Sequence, residues 1–231
     1  MAIEVFSRKE TKYLLNENEY NLLMNKISYH LEKDKYFQST ICNIYFDTDN
    51  YDLIINSIDK PMYKEKVRLR SYNIPSKNDI VFLEVKKKYK GIVSKRRIEI
   101  KLSDFYNYYN KNIINNSSQI MKEIDYLFKL YRLKPKLYLA YDRLSYYDKD
   151  NPNFRITFDT NIRSRDDNLK LDSNDDGQLY FNEKMYIMET KTLNSLPLWF
   201  VKILNELKLY PKSFSKYGSI YTKKIKEEYY V

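Results

Sequence analysis

Charged and apolar side chains alternate along several short segments of this chain. In the segment 66–70, Lys-Val-Arg-Leu-Arg, three cations occupy every second position. Because side chains of a β-strand alternate between its two faces, these cations would project from one face and Val67 and Leu69 from the other. A single strand of this kind usually turns its charged face to solvent. Recurrence of the pattern would instead indicate a shared charged surface.

The alternation recurs in later segments with charges of both signs. It is found in 84–88, 94–102, 141–145 and 155–159, and more briefly in 189–191. In 94–102 it is interrupted by Arg96, which falls on the apolar side. Periodicity and composition together predict strands over 3–14, 40–47, 63–73, 80–90, 92–102, 136–147, 153–163 and 179–191.

Helical periodicity is strongest in the segment 18–32. Tyr20, Leu23, Ile27 and Leu31 recur there at spacings of three or four, with Asn16 or Asn18 at the N-cap. Further helices are predicted over 103–111, 117–131 and 196–208. The apolar side chains that we expect these helices to place in the core are Leu22, Leu23, Ile27, Ile124, Leu127, Phe128, Trp199, Ile203 and Leu207.

Composition limits the class of protein. The 231 residues are 43% hydrophobic and include only 3 Gly and 6 Pro, which predicts a single domain over 1–231. A net charge of +10 favours a polyanionic partner such as nucleic acid, an acidic membrane surface or phosphate chains. Cys42 is the only cysteine, so an intramolecular disulfide and a cysteine-based zinc cluster are excluded. No secretory leader or membrane-spanning stretch is evident, and we expect a soluble, cytoplasmic chain.

Eight strands joined by turns and short helices predict an α+β fold, in which an eight-stranded antiparallel sheet closes into a barrel with helices packed outside. Under those helices the apolar side of each strand must face outwards, so the charged side would line the interior. Buried cations repel one another unless carboxylates, water or an anionic ligand fill the space. We therefore expect a polar tunnel that binds an anion, since a purely structural barrel would be filled by apolar side chains.

A series of short motifs follows a definite order along the chain. The motifs are Glu-Thr-Lys-Tyr at 10–13, Tyr-Phe-Asp at 45–47, the basic strand 66–70, Leu-Glu-Val-Lys at 83–86, Lys-Arg-Arg at 95–97 after Gly91, Tyr-Asp-Arg at 141–143, Arg-Ile-Thr-Phe-Asp at 155–159, Met-Glu-Thr-Lys at 188–191 and Ser-Phe-Ser-Lys-Tyr at 213–217. This order resembles the VTC (vacuolar transporter chaperone) catalytic domain, a branch of the triphosphate tunnel metalloenzymes related to the CYTH group. CYTH enzymes carry Glu-x-Glu-x-Lys near the N-terminus, whereas Arg8 stands here in place of the first Glu, which favours the VTC branch.

The resemblance implies a tunnel that binds a nucleotide triphosphate together with Mn²⁺ or Mg²⁺. In the polymerase branch the γ-phosphate of ATP is transferred to a growing polyphosphate chain, which makes ATP and polyphosphate the expected partners. Two alternatives remain open, a hydrolase of tripolyphosphate or nucleoside triphosphate and a non-catalytic polyphosphate-binding protein. No specific nucleic-acid binding is expected, because the cations are interleaved into strands and no nucleic-acid module is present.

Position by position, the resemblance also implies roles for individual residues. The cations expected at the reacting phosphates are Arg68, Arg70, Lys86, Arg143, Arg155 and Lys216. The additional substrate-binding residues are Lys12, Lys66, Lys95, Arg97, Tyr141, Lys191 and Ser215. Glu189 is the expected metal ligand, whereas Glu10, Glu84 and Asp159 either ligate metal, order water or neutralise neighbouring cations. His30 lacks a partner motif and is expected to be structural.

Overall fold

A computed structural model describes residues 9–59, 61–90, 92–113 and 118–229. Residues 3–8 of the first predicted strand, Arg8 included, and residue 117 lie outside the described residues. The strands are β1 Lys9–Asn16, β2 Leu31–Asp47, β3 Tyr63–Tyr72, β4 Ile80–Tyr89, β5 Ile92–Lys101, β6 Lys134–Asp148, β7 Arg155–Arg165, β8 Gln178–Leu179 and β9 Met185–Thr192. The helices are α1 Glu17–Ile27, α2 Asp52–Ile58, α3 Leu102–Lys111, α4 Gln119–Tyr131, α5 Leu198–Glu206 and α6 Lys216–Tyr229.

The strands form one large antiparallel sheet, which confirms the α+β class. The strand order is β1-β9-β7-β6-β2-β3-β4-β5, and the short β8 pairs with β7. Over the described part of the chain, the end strands β1 and β5 are not paired with each other. The prediction of a closed barrel is therefore wrong. Alternation of charged and apolar residues requires only that helices cover one face of a sheet, and an open sheet satisfies that requirement equally well.

The chain divides into two compact units, which we call the first and second units. The first comprises Met1–Ser39, Tyr141–Ile162 and Phe181–Phe214. In its core, Tyr13, Met188 and Phe158 are direct neighbours across β1, β9 and β7. They share a buried cluster with Leu23 of α1 and Phe200 of α5. The apolar sides of these strands thus lie under helices, as the alternation predicts.

The core predictions for α1 and α5 are correct except at one position. Leu23 and Ile27 are fully buried, but Leu22 is 45% exposed. One residue along a helix turns the side chain by about 100°, which takes Leu22 off the face that Leu23 and Ile27 define. The helix also ends at Ile27, before the predicted limit of 32. The three predicted side chains in and directly after α5 are partly buried and pack against the cluster: Trp199, Ile203 and Leu207.

The second unit comprises Thr40–Ala140, Arg163–Tyr180 and Ser215–Val231. Leu69, Leu83 and Ile98 are direct neighbours across β3, β4 and β5, and they pack in a second buried cluster with helices α3 and α4. Ile124, Leu127 and Phe128 of α4 belong to this cluster, as predicted. Arg96, the interruption in the alternation, forms an ion pair with Glu123 of α4 at 2.8 Å.

Two helices were not predicted from the pattern of apolar residues, namely α2 and α6. The strand β2 also begins at Leu31, nine residues before the predicted start at 40. Within the described ranges, no helix combines the length and the apolar character needed to cross a bilayer.

Candidate functional site

A buried carboxylate in the second unit is surrounded by cations. Glu84 lies directly across from Arg68 in the pairing of β4 with β3, and its side chain is only 2% exposed. Arg68 donates from Nε to Glu84 Oε2 at 2.7 Å, and its Nη2 lies 2.6 Å from the same oxygen. Lys95 Nζ lies 2.7 Å from Glu84 Oε1, and Arg70 Nε lies 4.0 Å from Oε2. These four residues form the Glu84 cluster.

The charges of the Glu84 cluster shift the pKa values of its members. Burial alone would raise the pKa of Glu84, but Arg68, Arg70 and Lys95 together lower it to about 2. Burial lowers the pKa of Lys95 to about 8, with Arg68 and Arg70 adding to the effect and Glu84 opposing it. Glu84 is thus ionised at neutral pH, and it offsets part of the repulsion among the three cations.

Strand β2 adds two polar side chains to this cluster that the residue assignments missed. Arg68 Nη1 donates to the Tyr45 hydroxyl at 3.2 Å, and Arg70 Nε donates to Asn43 Oδ1 at 2.9 Å. Burial would raise the pKa of Tyr45, but Arg68 and Arg70 lower it to about 8. The alternation along β2 could have revealed them, because Asn43 and Tyr45 alternate with the core residues Ile44 and Phe46 and therefore project from the other face.

Helix α6 begins beside the same charged face. Ser215 caps its first turn by accepting from the backbone N–H of Gly218 at 3.2 Å, and the Ser215 hydroxyl also accepts from Lys66 Nζ at 3.1 Å. Lys216 is the first residue of the helix. The rings of Tyr217 and Tyr45 lie 4.7 Å apart. The predicted residues Lys66, Ser215 and Lys216 are therefore brought together at the N-terminus of α6.

The first unit contains a second buried carboxylate with cations around it. Glu189 of β9 pairs in register with Lys12 of β1. Its Oε1 lies 2.5 Å from Lys191 Nζ, its Oε2 lies 3.8 Å from Lys12 Nζ, and Lys12 Nζ is also 3.4 Å from Glu10 Oε1. Burial would raise the pKa of Glu189, but Lys191, Lys12 and Arg143 hold it well below its usual range. We call Glu189, Lys12, Lys191 and Arg143 the Glu189 cluster.

Arg143 is fixed by a second acidic side chain of the same unit. It donates to both carboxylate oxygens of Asp159, from Nε at 2.6 Å and from Nη2 at 2.8 Å. Its guanidinium carbon lies 5.3 Å from the centre of the Tyr141 ring. Burial would lower the pKa of Arg143, but Asp159 and Tyr141 raise it further above its usual value. A bidentate pair of this kind holds the guanidinium plane in one orientation.

Three of the predicted cations lie outside these contacts. Arg155 is exposed and reaches Asp34 only at 3.8 Å, although it lies across from Lys191 in the sheet. Lys86 is exposed and lies between Lys66 and Lys95 in the pairing of β3, β4 and β5. Arg97, across from Glu84, covers the Phe82 ring with its guanidinium carbon 4.6 Å from the ring centre. Their roles stay predictions.

The described residues hold no group of three or more carboxylate, histidine or cysteine side chains that could bind a metal ion. Glu10 and Glu189 both lie within 4 Å of Lys12 Nζ, so they are two carboxylates near one another, and oxygen ligands are what a divalent cation prefers. Their role as metal ligands stays a prediction. Glu84 contacts three cations, which is the arrangement expected if its role is to neutralise neighbouring cations.

Residues 172–177 also match the pattern Asp-x-Asn-x-Asp-Gly, which is typical of the start of a calcium-binding loop. The structure gives these carboxylates other partners. Asp172 accepts from the Tyr106 hydroxyl at 2.6 Å, and Asp176 accepts from Arg165 at 3.1 Å and from Asn174 at 2.6 Å. The spacing therefore reflects a loop held by internal polar contacts.

His30 packs as a structural residue. Its ring stacks on Trp199 of α5 with the centres 3.9 Å apart and the planes 15° from parallel. Trp199 in turn donates from Nε1 to Asp148 at 3.3 Å. These contacts belong to the first unit and support the expected structural role.

Comparisons with known proteins identify the family and similar folds. The family model described as "VTC domain" matches residues 7–223. Two solved structures are similar in fold, and both are described as candidate adenylate cyclases. The one from Bacillus halodurans has a TM-score of 0.57 and 14% identity, over 90% of this chain and 95% of that chain. The one from Vibrio parahaemolyticus has a TM-score of 0.50 and 11% identity, over 92% and 97%. No curated protein matches the chain at a significant level.

Proposed function

The chain belongs to the VTC domain family, and on this premise we propose that it transfers the γ-phosphate of ATP to the end of a polyphosphate chain. The observation that carries the proposal is the pair of cation sets held by buried, ionised carboxylates, the Glu84 cluster and the Glu189 cluster. Surface cations would not require buried counter-ions. Cations kept together in this way suit a ligand that carries several negative charges.

The reaction needs electrostatic stabilisation more than it needs a covalent nucleophile. A terminal oxygen of polyphosphate attacks the γ-phosphorus of ATP, and the bond from that phosphorus to the β,γ-bridging oxygen breaks, releasing ADP and a chain longer by one phosphate. Negative charge spreads over the non-bridging oxygens in the transition state. Arginines that are already oriented stabilise this charge with little reorganisation. Arg68, held by Glu84 and Tyr45, and Arg143, held by Asp159, have this property.

Members of the family typically use a divalent metal ion, which would neutralise phosphate charge and orient the oxygens. Glu189 is the carboxylate that we assign to it, with Glu10 beside it. Because Lys12 and Lys191 now contact Glu189, we expect those lysines to exchange partners and bind phosphate oxygens when the metal is present.

The experiment is a product assay with ATP and Mn²⁺. We expect the purified chain to form ADP and a long, acid-stable phosphate polymer. Arg68→Ala should reduce the rate at least ~100-fold, since it removes an oriented charge from the transition state. Glu189→Ala should reduce it similarly in Mn²⁺. Lys26→Ala is the matched control, because Lys26 pairs with Glu206 in an exposed contact away from both clusters.

The products distinguish the alternatives. Release of orthophosphate alone would assign the chain to the tunnel hydrolases, with water as the acceptor. Tight binding of polyphosphate without turnover, unchanged in Glu189→Ala, would identify a non-catalytic binding protein. Either result contradicts the polymerase proposal.

A further inference from the structure

The β4–β5 hairpin ends in a row of exposed apolar side chains. Tyr63, Tyr89 and Ile92 are direct neighbours across β3, β4 and β5, and Met62 precedes Tyr63 in the chain. Ile92 is 75% exposed, Met62 70% and Tyr89 53%. The buried core of this unit reaches only to Val67, Val85 and Ile98 on these strands. Tyr63 donates to Glu65 Oε2 at 2.8 Å and is 45% exposed, whereas Met62, Tyr89 and Ile92 are exposed to a greater extent. We call these four residues the hairpin tip.

The hairpin that carries the tip is strongly basic. Between Glu84 and Glu99 the sequence contains seven Lys or Arg and no Asp or Glu. Lys88 and Lys90 are exposed and adjoin Tyr89, and the next cross-strand row consists of Lys64, Lys88 and Val93. Because successive side chains of a strand point to opposite faces, Lys88 projects from the face opposite Tyr89, one residue or roughly 3.3 Å behind the apolar row. Lys64 donates to the Ser57 carbonyl at 3.0 Å, so the exposed lysines that flank the row are Lys88 and Lys90.

We propose that the hairpin tip inserts into the interfacial layer of an anionic lipid membrane. Tyr, Met and Ile at the end of a hairpin would enter the boundary between headgroups and acyl chains, while the lysines behind them reach lipid phosphates. This inference does not depend on the proposed transferase activity, because the tip lies outside both clusters.

Charge and apolarity together favour a membrane over other partners. A second copy of the chain would bring its own exposed Lys88 and Lys90 against the same two lysines, and like charges repel. A phosphate polymer would satisfy the lysines but would leave the four apolar side chains in water. An anionic membrane supplies both negative headgroups and an apolar layer.

The test is co-sedimentation with vesicles of phosphatidylcholine alone or mixed with phosphatidylglycerol. We expect binding only to the anionic vesicles. The double change Tyr89→Ser with Ile92→Ser should weaken it more than tenfold, given the apolar area that these side chains would bury. Lys88→Gln and Lys90→Gln should each weaken it roughly fivefold. Tyr126→Ser and Lys122→Gln on α4 are the controls for an exposed tyrosine and an exposed lysine.

A fluorescent label separates insertion from attraction to the surface. Cys42 is buried, so Ile92→Cys can be labelled selectively with a polarity-sensitive dye, and Tyr126→Cys serves as its control. We expect a blue shift with anionic vesicles for the label at 92 only. Absent vesicle binding, equal losses in the α4 controls, or no spectral shift would overturn the proposal. So would a dimer in sedimentation equilibrium that the tip variants dissociate, since that result would assign the tip to a second copy.

Discussion

Glu84 and Glu189 are buried carboxylates in the middle of cation clusters. Each is ionised because its cations outweigh the cost of burial. The sequence showed that these carboxylates alternate with apolar neighbours. It did not show whether each binds a metal ion, orders water or neutralises neighbouring cations. That choice depends on cross-strand register, which places Arg68 opposite Glu84 and Lys12 opposite Glu189.

The lowered pKa of Glu84 predicts a specific dependence of stability on pH. Since its pKa falls from 4.5 to about 2 on folding, its stabilisation is fully present above pH 4.5 and is lost as the pH falls towards 2. We expect Glu84→Gln to lower the free energy of unfolding by ~3 kcal/mol at pH 7 and to flatten the profile below pH 4.5. Urea unfolding across this range measures both effects.

Glu206→Gln is the matched control for that profile, because Glu206 forms an exposed pair with Lys26. Exposed pairs contribute little, so its profile should follow that of the unchanged protein. A Glu84→Gln profile parallel to the unchanged one at every pH would contradict the ionised state of Glu84.

At the scale of elements, Asp47 joins the ends of three elements. It ends β2, its Oδ1 and Oδ2 accept the backbone N–H groups of Leu53 and Ile54 at 2.9 and 3.0 Å at the start of α2, and its Oδ2 accepts from the Tyr217 hydroxyl of α6 at 3.0 Å. The Tyr-Phe-Asp motif thus serves three purposes. Tyr45 contacts the Glu84 cluster, Phe46 packs in the core, and Asp47 anchors two helices.

Removal of the Asp47 carboxylate should therefore destabilise the second unit strongly. Asp47→Ala leaves buried N–H groups unpaired at the start of α2, and we expect a loss of about 2–4 kcal/mol in the free energy of unfolding. Tyr217→Phe removes a single hydrogen bond and should cost about 1 kcal/mol. Equal losses in the two variants, measured by urea unfolding, would show that α2 does not depend on this carboxylate.

Strands with alternating residues could be predicted well, whereas α2, α6 and the first half of β2 could not. Residues 216–229 include few aliphatic side chains and a glycine in the first turn, so their helical period is weak. The helix forms because Ser215 caps it and Tyr217 contacts Asp47. Residues 31–39 lack alternation, and only pairing with other strands reveals them as a strand. These elements are stabilised by tertiary contacts, which the local sequence pattern does not reveal.

At the scale of the whole molecule, the order of the strands was beyond the sequence pattern. Alternation tells which face of each strand is apolar, but it does not tell which strand is its neighbour or whether the sheet closes. The residues of the Glu84 cluster come from β3, β4 and β5, which are consecutive in the chain. Those of the Glu189 cluster come from β1, β6 and β9, which are far apart in the chain, so their proximity could be expected only from the family resemblance.

Three strands run from one unit into the other. Of the five boundaries between the units, those after 39, 140 and 162 fall inside β2, β6 and β7. If such a strand lost its hydrogen bonds in one unit, its continuation in the other unit would also be destabilised. We therefore expect one cooperative thermal transition for the whole chain. Phe200→Ala in the first core and Phe105→Ala in the second should each lower its midpoint without splitting it.

Scanning calorimetry checks this expectation. Agreement between the calorimetric and van't Hoff enthalpies would support a single domain over the whole chain. Two resolved transitions, each moved by only one of the two variants, would show that the units unfold independently.

The passage of β2, β6 and β7 through both units also restricts how this protein can change during evolution. Each unit is assembled from three separate stretches of chain, so no single duplication, fusion or deletion could copy or discard one unit and leave the other intact. The Glu84 and Glu189 clusters must therefore be inherited together. Divergence of function in such a chain has to proceed by substitution within the strands or by growth of the loops between them.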